Sequence, residues 1–239
     1  MLPFAAMRSA YDVRYVGPPG WRRLPAVTRA TLVLTVAGYL ASLVPAAPVA
    51  VLTAVPERIW PGLELWRLLT YPLVNVGIVS VLFSLLLLWS FGSELEPSWG
   101  SRGYALFLAL ATVSGGLFGV ATSLLLASPF GAGFGLAGPL TAVIAAWMFE
   151  GPNLPTNFFG VLPMTRKVFA LIAIVVVAFG EIEQTHSVAR LAFVLGGLPA
   201  SWWWAKRGRR LAARGGPSLP RFFRRRKFRV VPGDDERIH

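Results

Sequence analysis

The stretch GAGFGLAGPLTAVIAAWMFE, residues 131–150, decides the fold. It starts with four glycines in eight residues and continues as an apolar run in which Thr141 is almost the sole polar side chain. Glycine lets the backbone bend and approach its neighbours closely. Pro139 suits the first turn of a helix, where its missing N–H costs nothing. The pattern therefore predicts an irregular glycine loop that becomes a helix near Pro139.

The predicted helix is too short to cross a membrane by itself. Residues 139–150 would span roughly 18 Å at about 1.5 Å per residue, against a hydrocarbon core of about 30 Å. Non-helical backbone survives at membrane depth only where protein covers it or where it lines a water-filled cavity. We therefore expect this short helix at the centre of a bundle, surrounded by longer helices.

The composition indicates a membrane protein. Of 239 residues, 55% are hydrophobic and 14% are charged, and the mean hydropathy is +0.59. The apolar residues come in long runs, which favours several membrane-crossing helices over a soluble core. The lack of cysteine excludes disulfides and thiolate chemistry. Because His186 and His239 are the two histidines, the sequence predicts neither a metal site nor a cofactor.

The apolar runs predict an all-α membrane protein with six transmembrane helices, the short one being the fourth. The segment GSELEPSWGSRG is predicted to be a polar turn between the second and third spans. The loop at 45–66 is rich in proline and tryptophan, which is typical of the outer interface. The predicted spans are approximately 30–44, 74–91, 104–126, 139–150, 168–179 and 188–204.

Lysine and arginine cluster towards the two ends of the chain. Five lie at or before Arg29 and twelve lie from Lys206 onward, so the positive-inside rule places both termini in the cytoplasm. An even number of spans agrees with this placement, and the inner membrane of a bacterium is the predicted location. A signal peptide is the competing interpretation of Arg22, Arg23 and the apolar run after them. The long leader and the later spans favour an uncleaved helix.

Three regions are predicted from the charge distribution. Residues 1–28 form a basic cytoplasmic segment, 29–205 the membrane domain, and 206–239 a basic cytoplasmic tail. The tail is interpreted as a topology signal that is also attracted to anionic lipid headgroups. Nucleic acid is not an expected partner despite the net charge of +12, because the basic residues flank the membrane domain.

Four segments of the sequence carry a resemblance to a known family: WRLLTYPLVN, LLLLWSFGSELEPSWGS, the glycine loop with GLAG, and FFGVLPM. In order and spacing, over about residues 30–205, they resemble the rhomboid family of intramembrane serine proteases. The second segment is similar to the rhomboid turn in which an acidic residue precedes a Gly-Ser pair. The resemblance implies the rhomboid fold, with the nucleophile loop at the start of the fourth span.

The resemblance also implies where the catalytic positions fall. The nucleophile position of the Gly-x-Ser-Gly loop falls on Ala137, which has no hydroxyl. The base position on the sixth span falls on Arg190, which stays protonated and cannot act as a general base. A family glycine falls on Phe193, which predicts that the fourth and sixth spans cannot pack closely there. Gly197 keeps the second glycine.

The oxyanion side departs from the family pattern in the same way. The histidine and asparagine that many rhomboids carry on the second span fall on Ser80 and Ser84. Each serine can donate one hydrogen bond, but the usual pair is absent. All four catalytic positions therefore differ from the family.

Other side chains are candidates for the missing groups. Thr141, one helical turn after Ala137, is a candidate nucleophile, although hydroxyls in membrane helices usually satisfy backbone carbonyls. His186 is a candidate base, four residues before Arg190 and so on the same helix face. Its favoured place is nevertheless the outer turn beside Glu183.

Two interpretations of Arg190 stay open. A charge inside a span costs about 3 kcal/mol or more, so it needs a partner or water. In the first interpretation the side chain snorkels to phosphates or caps a carbonyl. In the second it is a lock, paired with Glu181 or Glu183 or bonded to carbonyls of the 131–136 loop.

The sequence therefore predicts a rhomboid-like integral membrane protein that is proteolytically inactive. Its predicted partners are membrane lipids and the transmembrane helices of client proteins. The alternative is an active intramembrane serine endopeptidase with a rearranged site. A transporter that uses Arg190 for an anion ranks last, because the chain has no paired repeat of broken helices.

Overall fold

The fold is predominantly helical in a computed structural model of the chain. The structure describes residues 15–16, 20–44, 47–126, 131–158, 162–185, 187 and 189–208. The helices are α1 (Ala26–Ser42), α2 (Ala47–Leu52), α3 (Pro56–Ile59), α4 (Arg67–Thr70), α5 (Ile78–Leu125), α6 (Ala137–Glu150), α7 (Arg166–Thr185), α8 (Ala189–Leu195) and α9 (Leu198–Trp203). Shorter 3-10 turns cover Trp21–Arg23 and Tyr71–Leu73, and a π turn covers Trp204–Gly208.

Element α5 contains the second and third predicted spans as two helical stretches that meet at a kink at Gly100, where φ is +76° and ψ is 153°. The kink lies inside the predicted polar turn at 92–103, but the turn is shorter than predicted, because the residues on both sides of Gly100 are helical. The serines of this segment satisfy their own helix, since Ser93 and Ser98 donate to carbonyls three residues earlier. We refer to 78–99 and 101–125 as the first and second halves of α5.

The buried carboxylate of Glu96 fixes the start of α1. Its oxygens accept hydrogen bonds from the backbone N–H groups of Val27 and Thr28 at 2.9 and 2.7 Å, and from the hydroxyls of Thr28 and Ser101 at 2.8 and 2.6 Å. A negative group at a helix N-terminus satisfies free N–H donors and complements the helix dipole. This explains why α1 begins at Ala26, before the predicted start at residue 30.

The segment between α1 and α5 is held by a buried arginine. Arg67 donates to the carbonyl oxygens of Ala50 and Thr53, each at 2.7 Å, and also pairs with Glu64. These contacts join α2, α4 and the intervening chain. The predicted interfacial loop is therefore a set of short helices rather than open coil.

The strands and the last three helices differ in detail from the sequence prediction. Strands β1 (Tyr15–Val16), β2 (Pro155–Phe158) and β3 (Leu162–Thr165) form a sheet in the order β1-β2-β3. Strands β2 and β3 lie between the predicted fourth and fifth spans, and β1 lies in the predicted N-terminal segment. Helix α7 runs to Thr185, so Glu181 and Glu183 lie within it and not in the predicted turn. The predicted sixth span corresponds to α8 and α9, with a turn at 196–197 between them.

Helix α6 is buried along most of its length. Every residue from Ala137 to Trp147 is buried, and the helix packs against α5, α7, α8 and α9. In the described part of the chain, one helix has both the length and the apolar composition to cross a membrane, namely α5. Helices α1 and α6 are apolar but shorter.

Candidate functional site

The glycine loop at 131–136 leads directly into α6, as the sequence predicted. Helix α6 begins at Ala137, two residues before Pro139, and Ala137 is 7% exposed. Gly135 has φ of +90°, a left-handed conformation that an L residue with a side chain rarely adopts. The predicted nucleophile position therefore lies at a buried helix start behind a tight glycine turn.

Backbone N–H groups of this loop donate hydrogen bonds to acceptors elsewhere in the protein. Gly133, Gly135 and Leu136 each donate their N–H to another segment of the protein. The acceptors are, in order, the carbonyls of Ala54 and Tyr71 and the Oδ1 atom of Asn75, at 2.8, 3.1 and 3.3 Å. An oxyanion hole needs donors that point at empty space where charge develops. These three donors point at the protein instead.

Arg190 binds the carbonyl side of the same loop. It is 2% exposed, and its guanidinium donates to the carbonyl oxygens of Ala132 at 2.9 Å and Phe134 at 3.0 Å. It also donates to the Glu181 carboxylate at 2.8 Å. We call these contacts the Arg190 lock. Of the two interpretations of Arg190, the structure contains the lock, with Glu181 as the acid, while Glu183 is exposed.

An aromatic ring completes the surroundings of the arginine. The Arg190 Cζ lies 3.6 Å from the centre of the Phe134 ring, a cation–π contact. Its Nε is buried without a hydrogen-bond partner among the described residues. The guanidinium therefore fills the space between α7, α8 and the loop with one charged pair, two carbonyl contacts and a stacked ring.

Phe193 packs against two glycines, one on α5 and one in the loop. A Cβ atom placed on Gly119 or on Gly133 would lie 2.2 Å from its ring. The ring also meets Tyr71 edge-on, with 5.8 Å between the centroids. Gly115 and Gly119 lie one helical turn apart on α5, and both allow a close approach: a Cβ on Gly115 would lie 2.9 Å from the carbonyl oxygen of Phe193, while Gly119 accommodates its ring.

The prediction that Phe193 would keep the fourth and sixth spans apart was wrong. A Cβ on Gly138 of α6 would lie 2.6 Å from the carbonyl oxygen of Phe193, and one on Gly197 would lie 2.9 Å from the Cβ of Ala142. The backbones are thus close at Phe193 and again one turn later at Gly197. Close packing survives because the ring points towards Gly119 and Gly133 and away from α6.

The remaining candidate side chains of the site are three hydroxyls and one histidine. The Thr141 hydroxyl is fully buried and lies within hydrogen-bonding distance of the carbonyl oxygens of Gly138 and Val194, as expected for a hydroxyl that satisfies backbone. Ser84 is 8% exposed and Ser80 is half-buried, both in the first half of α5. His186, the candidate base, lies outside the described residues.

Sequence reasoning did not assign roles to Tyr71 and Asn75, which the structure brings to the loop. Both belong to the quoted segment WRLLTYPLVN, which was the available signal. Tyr71 donates to the Thr112 carbonyl at 3.2 Å. Burial raises the pKa of this hydroxyl, and the nearby charge of Arg190 opposes that effect only in part. It therefore remains a neutral hydrogen-bond donor.

A second polar cluster joins α5, α6 and α7. Glu94 pairs with Arg166 and accepts a hydrogen bond from the Trp147 indole at 2.7 Å, and Arg166 lies 4.6 Å from the centre of the Trp147 ring. Within the described residues, no group of three or more histidine, cysteine, aspartate or glutamate side chains is placed to hold a metal ion. The cluster is therefore interpreted as a tie between helices.

Comparison with known families gives a match over most of the chain. The family described as "Eukaryotic integral membrane protein (DUF1751)" matches residues 29–218. The chain belongs to this family. The match covers most of the chain and includes the glycine loop, Arg190 and all the helices described above except the first residues of α1.

A curated relative supports the rhomboid superfamily for this integral membrane protein. The chain is 31% identical over 152 residues to the "Rhomboid protease GlpG" of Serratia proteamaculans (strain 568), which covers 60% of this chain and 51% of the relative. The chain thus spans about half the length of the curated relative that it matches. The resemblance to rhomboids read from the four sequence segments is confirmed.

The comparisons do not support the predicted bacterial inner membrane as a location. The matched family is described as eukaryotic, whereas the curated relative comes from a bacterium. The family description supports integration into a membrane.

Proposed function

We propose that this protein is a rhomboid-like membrane protein without protease activity that binds the transmembrane segments of client or partner proteins. The observation that carries the proposal is the pair of Ala137 and Arg190 at the positions where the family's nucleophile and base are expected. Alanine supplies no nucleophile, and a guanidinium held by three acceptors supplies no base.

The geometry of the loop supports inactivity independently of those two residues. A serine protease stabilises its intermediate with donors aimed at the oxyanion. Here the N–H of Leu136, the residue before Ala137, donates to Asn75 Oδ1. The Arg190 lock also holds the loop through its carbonyls. A substrate carbonyl would have to displace these internal bonds to be polarised.

The proposed membrane arrangement has six spans and both termini on the cytoplasmic side. The spans are α1, the two halves of α5, α6, α7, and α8 with α9, with α6 as the short central helix. Its burial from Ala137 to Trp147 supports that position. The regions 1–28, 29–205 and 206–239 remain the proposed division into basic segment, membrane domain and basic tail, and nucleic acid is not a proposed partner.

We place the client site on the outward face of α7. Its exposed apolar residues recur three and four positions apart, as expected for one face of a helix: Val168, Leu171, Ile172, Val175, Val176 and Phe179. A client helix of similar apolar character would pack along this stripe, held by van der Waals contact as membrane helices are. The Arg190–Glu181 pair lies behind the stripe and keeps α7 against α8.

Site-specific photocrosslinking in native membranes tests this site. A photoreactive amino acid at Val175, which is 65% exposed, should yield discrete crosslinked protein bands. The matched control is Leu106 on the second half of α5, which is 57% exposed and should crosslink to lipid alone. Equal band patterns from the two positions would remove α7 as the client site.

The rival function, an active endopeptidase with a rearranged site, requires another hydroxyl to act as nucleophile. Thr141, Ser80 and Ser84 are the candidates, and Thr141 is already engaged with backbone carbonyls. Fluorophosphonate labelling of the parent chain beside a variant that lacks these three hydroxyls separates this function from the one proposed here.

A further inference from the structure

An apolar groove runs along the outside of the bundle between α1 and the first half of α5. Its volume is about 600 Å³, and its lining is aliphatic except for two tryptophans. Each wall repeats at helical spacing, which places its residues on one face. The walls include Val33, Ala37 and Leu40 on α1 and Leu86 and Trp89 on α5, with Trp21 at one end.

The groove is shorter than a membrane-spanning helix. From Leu32 to Leu40 it extends about 12 Å along α1 at about 1.5 Å per residue. One leaflet of a hydrocarbon core of about 30 Å is roughly 15 Å deep. The groove therefore matches the acyl region of one leaflet, whereas a client helix would need a face along the whole core.

Basic side chains stand at one end of the groove. Arg29 precedes Val33 by four residues and Val36 by seven, so it lies on the same face of α1, one turn beyond the apolar lining. It is exposed, as is Arg23, two residues after Trp21. The neighbouring acid, Glu96, is buried and accepts four hydrogen bonds from the protein. Among the residues that the structure describes here, the exposed charge at this end is therefore positive.

We propose that this groove is a binding site for an anionic glycerophospholipid. One acyl chain lies between α1 and α5, and the phosphate lies against Arg29 and Arg23. Trp21 lies at the boundary between the acyl chain and the phosphate, because indole rings favour the membrane interface. Charge complementarity selects an anionic headgroup, since basic residues at the cytoplasmic surface attract acidic lipids. This site does not rest on the absence of protease activity or on the client site on α7.

Native mass spectrometry of the detergent-purified full chain tests the site. We expect phosphatidylglycerol to bind about tenfold more tightly than phosphatidylcholine with the same acyl chains, given two basic contacts. The double variant Arg23→Gln, Arg29→Gln should lose that preference. Ala37→Trp, which fills the groove, should weaken both lipids. Arg207→Gln removes an exposed positive charge after the last helix and should leave the preference unchanged.

Several outcomes would overturn the proposal. They are equal binding of the two lipids by the parent chain, unchanged binding by Ala37→Trp, and loss of preference in Arg207→Gln. Displacement of the lipid by excess inorganic phosphate would indicate a free-anion site, and a retained protein chain in place of lipid would indicate a helix. If Ala37→Trp does not fold, phosphatidylglycerol with brominated acyl chains provides a second measurement. It should quench tryptophan fluorescence less in Trp21→Phe, Trp89→Phe than in the parent.

Discussion

The guanidinium of Arg190 donates a 2.8 Å hydrogen bond to the carboxylate of Glu181, so a buried ion pair ties α8 to α7. The same side chain reaches the carbonyl oxygens of Ala132 and Phe134. One residue thus holds two helices and the glycine loop together. An arginine in an apolar bundle is tolerated here because all these acceptors are supplied by the protein.

Removing the arginine should destabilise the protein strongly. Arg190→Ala leaves a buried carboxylate without its partner, which costs about 3 kcal/mol or more. For a chain of this size, that corresponds to a melting temperature lower by about 6–12 °C. The measurement is thermal unfolding in detergent, together with the folded yield.

The matched control for this prediction is Arg58→Ala. The Arg58–Glu64 pair is 3.9 Å apart, and the Arg58 side chain is 61% exposed, so its loss should change stability by less than about 1 kcal/mol. An equal folded yield and an equal melting temperature for Arg190→Ala and the parent would contradict the Arg190 lock.

Adding a methyl group to Gly119 should be costly because of Phe193. The Cβ of Gly119→Ala would lie 2.2 Å from the ring, and overpacking of this kind costs about 1–3 kcal/mol. Gly180→Ala on α7 is the control, since its Cβ would meet nothing within 4 Å and alanine favours helix by about 1 kcal/mol.

A double-mutant cycle identifies the ring as the cause. Phe193→Ala should remove most of the penalty of Gly119→Ala, with a coupling energy of about 1 kcal/mol or more. Additive effects of the two substitutions on unfolding would show that Phe193 is not what makes Gly119 necessary.

Glu96 should be required for the start of α1. Glu96→Ala deletes the acceptor of four hydrogen bonds, and bonds to charged groups are worth about 1.5–3 kcal/mol each before compensation. Glu96→Gln keeps one carbonyl oxygen and should cost less. Hydrogen exchange at the N–H groups of Val27 and Thr28 should accelerate more in the alanine variant than in the glutamine variant. The opposite order would contradict this capping role.

The glycine loop and the short helix after it were predictable because glycine, proline and apolar residues act locally. The shortness of the turn between the halves of α5 was not predictable, since the polar residues of GSELEPSWGSRG suggest a turn over the whole segment. The structure confines the break to Gly100, and the helical part before it carries Glu96, which satisfies the N-terminus of α1, a contact across 69 residues. Phe193 shows the same limit: the residue alone indicates a clash, whereas the pairing with Gly119 and Gly133 becomes visible only in three dimensions.

A serine restored at the nucleophile position should not restore activity. Ala137→Ser supplies a hydroxyl at the start of α6, but Arg190 cannot take its proton, and Leu136 N–H already donates to Asn75. We expect no labelling of Ala137→Ser by a fluorophosphonate probe in membranes. Labelling of this variant above the parent would mean that the oxyanion donors become available and that a base is present.

The most direct test of the central claim is fluorophosphonate labelling of the parent chain in membranes. The comparison is the triple variant Ser80→Ala, Ser84→Ala, Thr141→Ala, which removes every candidate hydroxyl named above. The account predicts that neither protein is labelled, since the expected nucleophile is Ala137 and the expected base is Arg190. Labelling of the parent that disappears in the triple variant would contradict it and would identify an active protease with a nucleophile outside the glycine loop.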